Sequence, residues 1–335
     1  MNKVIKFLLA ATLVLSIQPT QCETNYDLSG IKTLDFSTIN LEQFLLEFPR
    51  IEKYTLPDGR EVWFFLDHHG SFVSELLMKK VLATEKFTHA IIEKEMMAYY
   101  LMMGTEKFPL SLTKEDYILQ KFFDASEALH AYRGANTVAW ETLQNTETVI
   151  LPGEFKTVQE ALENYNRIGG LSNEEIFLHL WVLVINTLLE CNKIIEPLLL
   201  VEHREPFKKV SREISEQVFQ RAHNFLGIKN PHELAENLRI KGPLYIEKSM
   251  TPIITKGVYT RDMKIAQTIL NTCSDTRSQK TLIVYGGLHW GNLQDVLEQY
   301  FGKSVRINPN EYITPEENEK INGIMKFIVE KLTAQ

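Results

Sequence analysis

Three short, largely apolar runs constrain this chain more than any other feature: Val62-Trp63-Phe64-Phe65-Leu66, Phe87 to Ile92, and Thr281 to Tyr285. Each is too short for a helix and rich in aromatic or β-branched residues, so each reads as a strand. The first follows the turn residues Pro57-Asp58-Gly59. Between the first two, residues 72–85 place Val73, Leu76, Leu77 and Val81 at three-to-four spacing behind Ser71, a fitting N-cap. Strand, helix, strand is the βαβ unit of a parallel sheet. The expected fold class is therefore α/β, a central, mostly parallel sheet flanked by helices.

The middle of the chain reads as helical. Residues 114–132, 173–203 and 206–226 lack interior glycine and carry amphipathic spacing. Ser172-Asn173-Glu174-Glu175 opens the second of these, and Pro206 separates it from the third. Ile176 to Leu189 is strongly apolar but is interrupted by His179 and Asn186 and followed by Glu190, which suits a buried core helix better than a membrane span. The βα pattern resumes late. Arg261-Asp262 is expected to open a helix to about Thr272, Gly286-Gly287 to form a turn, Leu293 to Tyr300 to be helical, and a last helix to run from Pro315 to Leu332. The expectation is one domain over residues 23–335, entered by a polar linker at 23–40 and carrying a large helical insertion at about 105–245.

The N-terminus reads as an export signal: Lys3 and Lys6, then an apolar run of eleven residues from Phe7 to Ile17, then the polar exit Gln18-Pro19-Thr20-Gln21-Cys22. Eleven residues fall short of the roughly 20 that span a bilayer. Cleavage near Cys22 is expected, leaving a periplasmic or secreted chain without a transmembrane span. Lipidation of Cys22 is disfavoured by the bulky Gln21 before it. The remaining cysteines, Cys191 and Cys273, lie in different expected helices, where an unpaired buried thiol is the commoner state. A hydrophobic content of 44% supports a large core, and a net charge of -7 offers phosphate backbones no general attraction, so nucleic acid is not an expected partner.

Ionisable residues follow each of the three strands: Asp67-His68-His69, then Glu93, then His289. In an open parallel sheet, ligands bind beyond the carboxyl ends of the strands, where loops diverge. That geometry gathers these groups into one cleft. Two imidazoles and a carboxylate there can act as acids and bases near neutral pH or hold a divalent metal. Gly70, Gly286 and Gly287 allow tight turns beside them. The plainer readings are loop residues and helix caps, with Asp262 as an acid at a helix start and Arg261 exposed.

His69-Gly70-Ser71 after a strand, Glu93 closing the next, Arg261-Asp262 with Ala266 in a helix, and Gly286-Gly287-Leu288-His289 after a late strand occur in that order. Together they resemble the erythromycin-esterase-like and ChaN-like superfamily, which also includes the TraB and Tiki proteins. The resemblance covers roughly residues 60–95 and 255–302. It implies an α/β fold with a helical insertion and a cleft in which His69, Glu93, Arg261 and His289 face a substrate. Leu66 stands where esterase-like members carry a glutamate three positions before the histidine.

The function expected from these residues is hydrolysis of an ester or amide bond in a small-molecule or peptide substrate. His69 would be the base that activates water, Glu93 would orient the base or the water, and Arg261 with His289 would stabilise the oxyanion. No Gly-x-Ser-x-Gly elbow occurs, so water is favoured over a side-chain nucleophile; Ser71 is the second choice. Asp67, His68 and Asp262 are secondary candidates. This chemistry needs no cofactor. The alternatives are a metal-dependent site with His69, Glu93 and His289 as ligands, as in a Tiki-like peptidase, and non-catalytic haem binding through His68 or His69.

Overall fold

The computed structural model describes residues 26–33, 49–67, 72–93, 135–153, 155, 157–181, 226–241, 243–321 and 323, with single positions between 205 and 224. A six-stranded sheet lies at its centre. The strands are β1 (Arg50–Thr55), β2 (Glu61–Asp67), β3 (His89–Ile92), β4 (Val149–Pro152), β5 (Lys280–Gly286) and β6 (Val305–Ile307). The helices are α1 (Phe72–Thr84), α2 (Ala135–Leu143), α3 (Val158–Arg167), α4 (Asn173–Leu180), α5 (Pro231–Lys241), α6 (Pro243–Ser274) and α7 (Gly287–Phe301). Among the described residues no helix is long and apolar enough to cross a membrane.

Strand order across the sheet is β4-β3-β5-β2-β1-β6. The β4–β3, β3–β5 and β5–β2 pairs are parallel, whereas β1 runs antiparallel to both β2 and β6. The continuous apolar runs at β2 and β5 now have a physical cause. Alternate side chains point to opposite faces, and helices cover both. From β2, Val62, Phe64 and Leu66 join Ile283 and Tyr285 of β5 against α6 and α7. Trp63 and Phe65 join Leu282 and Val284 against α1 and α2. Burying one such aromatic or aliphatic side chain stabilises the fold by about 1.5–3 kcal/mol, so this stack fixes the register of the central strands.

Several expectations are corrected. Residues 26–33 lie within the expected linker, yet Leu28 and Ile31 are buried in the core beside α7. Tyr26 packs edge-on to Tyr300, and Lys32 N–H donates to the Asn292 carbonyl at 3.3 Å. The interval 105–245 supplies a strand to the main sheet, β4, besides helices. Gly286-Gly287 is not a free turn: β5 ends at Gly286 and α7 starts at Gly287, six residues before Leu293. Arg261-Asp262 does not open a helix either. It lies deep inside α6, which begins at Pro243 and continues through Pro252. Cys273, near the end of α6, is a buried free thiol whose pKa burial pushes up to about 12. Cys191 and the expected helix 114–132 lie outside the described residues, as does most of 182–225; residues 315–321 are helical.

Candidate functional site

The parallel strands end together at one edge of the sheet. Asp67 closes β2 opposite Gly286 of β5, and Glu93 extends the ladder one residue past β3, donating its N–H to the Val284 carbonyl at 2.9 Å. This register places the Glu93 side chain across the end of β5. Its Oε2 accepts the Gly286 N–H at 2.6 Å, at the positive N-terminal end of α7, where a carboxylate is favoured. Its Oε1 accepts from Arg261 Nη2 at 2.9 Å.

The first turn of α7 brings in His289, and α6 brings in Asp262 beside Arg261. His289 Nδ1 lies 2.5 Å from Asp262 Oδ1, and His289 Nε2 lies 3.4 Å from Glu93 Oε1. One turn further along α7, Asn292 Nδ2 donates to Asp262 Oδ2 at 2.6 Å. The i, i+3 spacing puts His289 and Asn292 on one face of α7, so both reach the same carboxylate. Two carboxylates thus face a guanidinium and an imidazole, and all four groups are buried.

Electrostatics sets the state of His289. Burial alone would lower its pKa, but the charge and hydrogen bond of Asp262, joined by Glu93, outweigh this and push it up to about 9. His289 is therefore an imidazolium at neutral pH, a cation and proton donor rather than a base. The Tyr285 ring stands edge-on to it, with centroids 5.2 Å apart. Gly153, just past β4, leaves Tyr285 its space: a Cβ there would lie 2.7 Å from the ring.

Of the candidate residues, Glu93, Arg261, His289 and Asp262 form one connected cluster. Asp67 is buried at the same strand edge. His68, His69 and Ser71 lie outside the described residues. The simpler reading of Arg261-Asp262 as a solvated helix start is overturned, since Arg261 is 6% and Asp262 0% exposed.

Two polar residues of this region were not singled out for chemistry. Asn292 was detectable as the residue three beyond His289. His179 of α4 was visible only as an interruption in an apolar run. It is 0% exposed, lies against the Tyr165 ring, and is near enough to Arg261 for that charge to add to burial in driving its pKa down to about 3. No protein-family model, no curated protein and no solved structure matches this chain.

Proposed function

We propose that this protein is an exported hydrolase of ester or amide bonds, akin to the erythromycin-esterase-like and ChaN-like superfamily, working at the carboxyl edge of its parallel strands. The observation that carries this reading is the buried Glu93–Arg261–His289–Asp262 cluster at that edge. Catalytic sites often collect buried ionisable groups of this kind, here drawn from three separate elements. Arg261 and the His289 imidazolium are two fixed donors suited to a developing oxyanion. Glu93 holds both in place, and Asp262 with Asn292 keeps His289 oriented and charged.

A protonated His289 leaves the base to another group. His69 follows β2 by two residues, and the end of β2 is in register with Gly286, so His69 is the proposed water-activating base. Within about residues 105–245, the segments other than β4 are the proposed helical insertion. The substrate is a small molecule or peptide. A panel of p-nitrophenyl esters and anilides tests the reading: His69→Ala should lower kcat by about 10²–10⁴, and unchanged turnover would remove the mechanism.

A metal-dependent variant with Glu93, His289 and His69 as ligands makes a different demand. An ion there has to displace the Arg261 guanidinium from Glu93 and a proton from His289, so binding would release protons and weaken below about pH 9. Turnover that rises with added zinc or manganese and falls with a chelator would select that variant. For haem binding through His68 or His69, a Soret shift on mixing with haem is the corresponding signature.

A further inference from the structure

Among the described residues, His179 is the one histidine near the cluster that the proposed chemistry does not use. Its ring is completely buried, and neither Nδ1 nor Nε2 has a hydrogen-bond partner among the described residues. A Cβ at Gly257 would lie 2.4 Å from Cε1 and 2.6 Å from both nitrogens. An approach in the ring plane would favour one of these atoms, so the near-equality means that the imidazole lies face-on against Gly257. Its nitrogens point sideways from that contact. Gly257 is four residues before Arg261 in α6, which puts both on one side of the helix. The two cations cannot coexist there at low cost: the nearby guanidinium and burial keep the imidazole neutral.

An apolar ring of similar shape would fit without two unsatisfied polar atoms, each of which disfavours the folded state. The histidine is thus present at a cost to stability, which is the pattern expected of a residue serving a ligand. A neutral imidazole offers one N–H and one lone pair, and its complement is an uncharged group that both accepts and donates.

We propose that His179 is a binding residue of this same site, taking an uncharged hydroxyl or amide group of the substrate beside Arg261. The identity of the ligand as a substrate rests on the hydrolase reading; the unsatisfied imidazole does not. The test compares wild type with His179→Phe and His179→Gln on p-nitrophenyl esters of acetate, glycolate and N-acetylglycine. Wild type should prefer the hydroxyl or amide ester. His179→Phe should lose that preference by at least tenfold while melting at or above wild type, and His179→Gln, which keeps a donor and an acceptor, should retain most of it. His179→Leu takes the place of the phenylalanine variant if the larger ring does not fit. A phenylalanine or leucine variant with the wild-type preference overturns the proposal. If wild type cleaves none of the esters, the hydrolase reading fails by itself and melting decides the rest: His179→Phe at or above wild type supports an imidazole unsatisfied within the protein, and His179→Phe well below it overturns the proposal.

Discussion

Asp262→Asn removes the charge nearest His289 while keeping the side chain's size. In the wild type, Asp262 and Glu93 push the His289 pKa up to about 9 from an ordinary value of 6.5. A group whose pKa is raised on folding stabilises the native state fully below its unfolded value and loses that contribution as pH rises through the folded value. At 1.36 kcal/mol per pKa unit, the His289 contribution is about 3 kcal/mol at pH 6, roughly 2 at pH 7.5, and nearly gone by pH 9.5. Without the Asp262 charge, burial is opposed only by Glu93 and the pKa falls toward or below 6.5. Urea unfolding at those three pH values should then show a gap between wild type and variant that is largest at pH 6 and shrinks by roughly 2–3 kcal/mol at pH 9.5. Apart from His289 and Asp262 itself, the titrating groups are common to both proteins and largely cancel in the difference. A gap that stays constant with pH, or a His289 Cε1 proton that titrates identically in both by NMR, would refute the electrostatic account.

Glu93→Gln leaves Arg261 buried without its carboxylate and takes a partner from His289; a loss of about 3–5 kcal/mol in chemical denaturation is expected. Gly257→Ala places a methyl 2.4 Å from the His179 ring, and the forced shift of α4 against α6 should cost about 1–3 kcal/mol, read as a lowered urea midpoint. His179 supplies the opposite pH limb to His289. Its pKa drops from 6.5 to about 3 on folding, so the protein should lose about 4 kcal/mol as pH falls from 6.5 to 3, and His179→Phe should flatten that limb in pH-dependent melting.

What the sequence made legible was governed by local pattern. β2 and β5 announced themselves because both faces are covered and no polar residue interrupts them. β1 did not, because Glu52 occupies a buried position and is satisfied by partners distant in sequence, including Ser304 and Arg306. β4 and β6 are four and three residues long, too short for any periodicity to show. The interior position of Arg261 and Asp262 was hidden by Pro252 and Gly257, which locally argue against one long helix; packing against the sheet overrides that preference. Strand ends pointed to Glu93 and His289 because the carboxyl edge of a parallel sheet is a general place for ligands. Asn292 and His179 owe their surroundings to contacts between helices, which spacing along the chain does not encode.

The placement of β5 has a consequence for how the molecule is made. This strand is separated by most of the chain from β2 and β3, yet it lies between them. Until residues 280–286 have been synthesised, β2 and β3 have no shared neighbour, and each keeps an unsatisfied row of backbone groups. Folding must therefore wait for the C-terminal part, and non-local closure of this kind is slow. A truncated or stalled product would expose the apolar faces of both orphan strands and be prone to aggregate, whereas the arrival of β5 joins the β1–β2 and β3–β4 halves of the sheet and delivers His289 to Glu93 in the same event.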